Sequence, residues 1–102
     1  MAVWFVSRHP GAIDWMAAQA DWQVDHWVAH LHVDEVQAGD VVLGTLPLGM
    51  AADVCAKGAR FWFLEVQMQA TQRGQELSAA LMTDMGCRLT EFVVQRLPVT
   101  WE

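Results

Sequence analysis

The stretch "VWFVSRHPGAIDW", residues Val3 to Trp15, decides how this chain is organised. Val3–Val6 is a short, unbroken apolar run and reads as a buried strand. It stops abruptly at Ser7-Arg8-His9-Pro10-Gly11. Directly afterwards Ile13, Met16, Ala17 and Ala20 recur at i, i+3, i+4 and i+7, the spacing of one helical face. Pro10 suits the first helical position, where its missing N–H costs nothing. His9, lying before that proline, is pushed out of the α region, as an N-cap residue should be. The same device recurs farther on. Val41-Val42-Leu43 runs into Gly44-Thr45-Leu46-Pro47, and Leu48, Ala51, Ala52 and Cys55 then mark a second helix.

The rest of the chain fits around these two units. Val24–Leu31 alternates and predicts a strand, with Asp25, Trp27, Ala29 and Leu31 on one face and His26, Val28, His30 and His32 on the other. Gln37-Ala38-Gly39-Asp40 predicts a turn before the Val41 strand, and Gly58 a C-cap for the second helix. Phe61–Val66 is apolar on both faces, which predicts a central strand. Gln72-Arg73-Gly74-Gln75-Glu76 leads into a third helix carrying Leu77, Ala80, Leu81 and Met85, ended by Gly86. Leu89–Leu97 completes the pattern as a strand whose Glu91, Gln95 and Arg96 predict an edge position. The order is β-α-β-β-α-β-α-β, an α/β class with a mainly parallel sheet between two helical layers. If the Val3 and Val41 strands are neighbours, two helix N-termini open onto one crevice at the carboxyl ends of the sheet. Open α/β sheets bind ligands there, and free N–H groups and helix dipoles favour anions.

Composition narrows the function. The 102 residues suit one domain, residues 1–102, and 54% apolar against 18% charged residues excludes a disordered chain. No apolar stretch approaches the ~20 residues of a membrane span, and the first residues read as strand and not as a signal peptide. Cys55 and Cys87 form no C-x-x-C pair and no disulfide framework, so reduced thiols and a cytoplasmic location are expected. The net charge of −6 excludes a binder of long nucleic acid, which needs a basic surface. A small anion in a focused pocket is compatible with it. Six Trp are too many for so small a core, so some are expected in a groove or a subunit interface.

Ser7-Arg8-His9 is the strongest chemical cluster. A guanidinium clamps phosphate bidentately, an imidazole can move a proton near neutral pH, and Ser7 with the N–H groups around Gly11 can hold phosphate oxygens. The alternative is a capped helix beside a solvated arginine. Gly44-Thr45 can add a backbone cradle and a hydroxyl, and Arg73 with Glu76 a second cation and its orienting carboxylate. Each of these also reads as an ordinary turn or helix start. His30-x-His32 offers two nitrogens to a metal but lacks a third ligand at convincing spacing, so no metal and no other cofactor is expected. Cys55 lies on the apolar stripe of the second helix, and nothing near Cys87 would activate it.

Two resemblances bear on these residues. A strand ending in Arg8-His9 before a turn and helix resembles the histidine phosphatases, whose Arg-His-Gly motif forms a phosphohistidine. Here Pro10 stands in the third place, and no second histidine–arginine pair follows. A wider likeness covers nearly the whole chain. "VSRHPGAIDW", "VDHWVAHL", "GDVVLGTLPLGMAADVCAKGARFWFL" and "RGQELSAALMTDMGCRLTEFVV" together resemble the small CRISPR-associated family called Csx sixteen, encoded beside type III interference systems. That resemblance implies a compact Rossmann-like domain related to the CARF group, which recognises cyclic oligoadenylates. It implies a ring nuclease that cleaves cyclic tetra-adenylate and so switches off type III signalling; the mechanism expected here needs no metal, a ribose 2′-hydroxyl attacking its own 3′-phosphate. A homodimer would match the repeated symmetry of such a ligand. On this reading Arg8, His9 and Ser7 are the catalytic candidates. Pro10, Gly11, Gly44, Thr45, Leu46, Arg73 and Glu76 are the ligand-binding candidates. The rival function is a binder that sequesters the cyclic nucleotide without cleaving it.

Overall fold

The computed structural model describes residues 1–66, 78–84 and 86–99. Its strands are β1 (Val3–Val6), β2 (His26–Val28), β3 (Val41–Gly44), β4 (Arg60–Glu65) and β5 (Arg88–Phe92). Its helices are α1 (Pro10–Ala17), α2 (Leu48–Ala56) and α3 (Ala79–Asp84), with a short 3₁₀ turn at Val33–Glu35. The strands form one sheet in the order β2-β1-β3-β4-β5. β2, β1, β3 and β4 run parallel, and β5 joins antiparallel to β4. The domain is therefore α/β with a mostly parallel sheet, as the alternating pattern predicts.

Side-chain alternation along the strands splits the core into two layers. On one face Trp4, Val6, Val42 and Phe61 pack with Ala51 and Val54 of α2, and with Leu31 and Val36 around the 3₁₀ turn. On the other face Phe5, Val41, Leu43 and Leu64 pack with Ala12, Trp15 and Met16 of α1 and Met82 of α3. β3 is buried along its whole length, because it is central and covered on both sides. β4 lies inside the sheet and β5 at its edge, the positions predicted for both.

Several boundaries differ from the sequence reading. β2 holds only His26–Val28 instead of Val24–Leu31, since its pairing is limited to Trp4, Phe5 and Val6 of the short β1. β5 stops at Phe92 instead of Leu97, because β4 supplies partners only from Phe61 to Glu65. Beyond it the chain crosses α2, where Arg96 bonds the Asp53 carboxylate and the Gly49 carbonyl. The buried face of α1 is centred on Ala12, Trp15 and Met16, leaving Ala17 exposed and Ala20 outside the helix. Trp15 covers more of the sheet than the alanine stripe would. Leu48, expected on the buried stripe of α2, is 76% exposed. Leu77 and Met85, expected in the third helix, lie outside the described residues.

Asp40 ties the start of the sheet together. Its buried carboxylate accepts hydrogen bonds from the backbone N–H of Ala2 (3.0 Å) and Gln37 (3.0 Å) and from the Trp4 indole (3.2 Å). Burial opposes its ionisation, but the bonds from Gln37, Ala2 and Trp4 together outweigh that and hold the carboxyl below its usual range. A carboxyl whose folded value is depressed stabilises the fold above its unfolded pKa. That contribution is lost as pH falls through the folded value. Asp40→Asn is expected to lower stability by about 2–3 kcal/mol at pH 7. In urea titrations the gap to wild type should narrow below about pH 4. A gap that stays constant down to pH 2 would contradict this role.

Candidate functional site

The parallel pairing of β1 with β3 brings the two strand-to-helix turns together. Val6 lies opposite Gly44 in the ladder, so Ser7 and Thr45 leave the sheet side by side. Gly44 has φ +122°, and a Cβ there would stand 2.2 Å from the Val6 carbonyl oxygen. Only glycine permits this approach. The Thr45 N–H then donates to that same Val6 oxygen (3.3 Å), while on the other side the Ser7 N–H donates to the Val28 carbonyl (3.1 Å). The carboxyl ends of β2, β1 and β3 are thus stapled in a row. The connection from β1 runs through α1 to β2 and that from β3 through α2 to β4, on opposite sides of the sheet, so the gap between β1 and β3 is the kind of switch point at which such sheets open a crevice.

A cleft of about 360 Å³ occupies that point. Ser7, Arg8 and His9 form one wall, and Thr45, Leu46 and Pro47 form another with Met50 of α2. Ala29, His30 and Leu31 close the third side. α1 starts with His9 as N-cap and Pro10 at its first position, and α2 starts after Pro47. Neither helix has a side-chain cap. In α1 Pro10 carries no N–H and the Ala12 N–H donates to the His9 carbonyl (3.0 Å), so it is the first turn of α2, whose Met50 lines the cleft, that turns uncommitted amides and a positive dipole end toward it. The Ser7 side chain is buried and its Oγ accepts the His9 N–H (3.2 Å), which leaves the hydroxyl proton to donate.

Arg8 is placed differently from the other cations. Arg60 pairs with Glu91 (2.7 Å), Arg88 with Glu65 (3.0 Å) and Arg96 with Asp53, while Lys57 donates to the Val33 carbonyl (2.7 Å). Among the described residues Arg8 alone of the lysines and arginines makes no hydrogen bond or ion pair. It is exposed on the cleft wall, and no described residue occupies its donor fork.

The structure therefore brings Ser7, Arg8, His9, Thr45 and Leu46 into one cleft. Gly44 lies beneath it as the close-contact residue and does not line it. Pro10 and Gly11 start α1, with Gly11 buried, and neither lines the cleft. Arg73 and Glu76 lie outside the described residues. His30, Pro47 and Met50 are lining residues that the sequence reading did not assign to the site. Pro47 had a signal, being the last residue of the repeated turn. His30 carries none, because the alternation around it continues a strand pattern past Val28, where β2 ends. For the same reason the three histidines do not share a strand face. His26 stacks on Trp4 (centroids 4.2 Å apart), His30 lines the cleft and His32 precedes the 3₁₀ turn. No group of three or more His, Cys, Asp or Glu side chains arranged for a metal occurs among the described residues. Cys87 is kept as a thiol at neutral pH, since burial pushes it up to about 11.

These features define a small α/β domain with a cleft, bordered by an exposed arginine, at the carboxyl ends of a mostly parallel sheet. Residues 4–95 match the family described as "Putative CRISPR-associated protein (Cas_VVA1548)", and the chain belongs to that family. No curated protein and no solved structure matches it. Among the described residues no helix is long and apolar enough to cross a membrane.

Proposed function

We propose that this protein is a ring nuclease of type III CRISPR defence, acting in the cytoplasm as a homodimer. It binds and opens cyclic tetra-adenylate, and so ends the signal that this messenger carries. Its domain is on this reading Rossmann-like and related to the CARF group. The observation that carries the proposal is Arg8, unpaired among the described residues, on a cleft shared by two uncapped helix starts. Membership of a CRISPR-associated family supports the setting.

The chemistry needs no metal. A ribose 2′-oxygen attacks the phosphorus of its own 3′-phosphate while the bond from phosphorus to the next 5′-oxygen breaks. The 2′-hydroxyl gives up a proton and the departing 5′-oxygen gains one, leaving a 2′,3′-cyclic phosphate and a 5′-hydroxyl. Catalysis then lies in holding three atoms in line and stabilising charge on the phosphoryl oxygens. Arg8, the Ser7 hydroxyl and the first-turn amides of α2 supply that charge stabilisation. His9 serves one of these two transfers, as general base at the 2′-hydroxyl or general acid at the 5′-oxygen, with water serving the other, a role worth about 10²–10⁴-fold. Thr45 and the neighbouring backbone hold an adjacent phosphate or ribose. A two-fold dimer pairs two such clefts across the four phosphates of the ring.

The test incubates the protein with excess cyclic tetra-adenylate and EDTA and separates the products by chromatography. The expected result is multiple turnovers to linear di- or tetra-adenylate ending in a cyclic phosphate. Intact ligand after tight binding would establish a sequestering protein instead. Cleavage that stops in EDTA would overturn the metal-free mechanism.

A further inference from the structure

A second niche, of about 260 Å³, lies directly beside the cleft, and its character is aromatic. It is lined by Phe5, Ile13 and Trp27 and shares Ser7, Arg8 and Ala29 with the first. Trp27 sits in the middle of the edge strand β2, in register with Phe5, and is 45% exposed. Phe5 is fully buried and meets the indole edge-on, with ring centroids 5.5 Å apart at 63°. The contact with a buried ring and the β1–β2 ladder hold the indole in place while much of its surface faces solvent. A large aromatic side chain fixed in this way, one wall of a niche whose other side is an arginine, is arranged for a flat apolar ring attached to an anion. Arg8 and Ser7 border both spaces, so a phosphate held by them lies next to the niche that Trp27 lines.

We infer that Trp27 is the stacking platform for a nucleobase whose phosphate is held by Arg8 and Ser7. The inference rests on the proposed function for its ligand, and it adds the residue that recognises the base. Stacking on an indole needs no hydrogen bonds from the base edge, so the platform selects for a base over a bare sugar phosphate. Trp27 acts in binding and takes no part in bond breaking. Ile13, from the first turn of α1, closes the niche opposite β2.

The experiment compares wild type with Trp27→Ala and Trp27→Phe for binding of cyclic tetra-adenylate. Trp27→Ala is expected to weaken binding about 10- to 100-fold, and Trp27→Phe to recover most of it. Ligand should quench the tryptophan fluorescence of wild type, and that quench should disappear in Trp27→Phe although this variant still binds. Both variants are checked for an unchanged unfolding midpoint and sedimentation coefficient. Equal affinity of Trp27→Ala and wild type would overturn the inference and leave the proposed function standing. So would a loss of affinity that merely tracks dissociation of a dimer. If wild type fails to bind cyclic tetra-adenylate, the proposed function falls and the platform is tested alone with adenosine monophosphate against ribose 5-phosphate. Quenching by the nucleotide only supports the platform, and identical responses to the two overturn it.

Discussion

Arg8→Ala is expected to lower the rate of cyclic tetra-adenylate cleavage by about 10²–10³-fold, the usual effect of removing one donor aimed at developing charge. The guanidinium is exposed at the cleft wall, and no described partner competes for its donors. It engages phosphate as a planar fork, which an ammonium cannot reproduce. Arg8→Lys should therefore keep part of the binding and recover little of the rate. Arg88→Ala is the matched control, because Arg88 pairs with Glu65 on β4 and β5, away from the cleft lining. Single-turnover rates at saturating protein, with separate measurement of binding, distinguish the two effects. Unchanged cleavage in Arg8→Ala would place the chemistry elsewhere.

Gly44→Ala is expected to cost at least about 3 kcal/mol of stability, combining backbone strain with an unrelieved clash. The added methyl would lie 2.2 Å from the Val6 oxygen and 3.1 Å from its nitrogen, and both are backbone atoms held in the β1–β3 ladder. Relief requires parting the two strands at the point where Ser7 and Thr45 emerge. The cleft would be lost with the pairing, so ligand binding should fail even at temperatures where the variant remains partly folded. Gly49→Ala gives the contrast. A Cβ there meets only the Nη2 of the exposed Arg96 at 3.1 Å, at a position inside α2 that alanine favours. Its urea midpoint should match or slightly exceed that of wild type. A Gly44→Ala protein as stable as wild type would show that the close approach of the strands is dispensable.

Much of this arrangement was legible in two short motifs. Val3–Val6 before Pro10, and Val41–Leu43 before Pro47, signal strand, turn and helix because proline placement and apolar continuity are local properties. The apolar run of β4 and the polar pattern after Leu89 likewise predicted a central and an edge strand, which the sheet bears out. The lengths of β2 and β5 were not legible. A strand ends where its partner ends, and side-chain alternation continues past that point without registering it. The alternation from Val24 to Leu31 therefore hid both the break after Val28 and the entry of His30 into the cleft. The buried face of α1 differs from the repeat of small apolar residues because the bulk of Trp15 decides which side meets the sheet.

By itself, then, the sequence determined the elements, their order and the residue types available for holding an anion. All of these follow from backbone preference and hydrophobic period over a few residues. Only the tertiary structure decided that β1 and β3 are neighbours, and hence that Arg8 and Thr45 face one cleft with Trp27 beside it. The reason is physical. Pairing Val6 with Gly44 and Phe5 with Trp27 joins segments far apart in the chain. Such long-range partners are selected by the fit of the whole core and not by any local pattern.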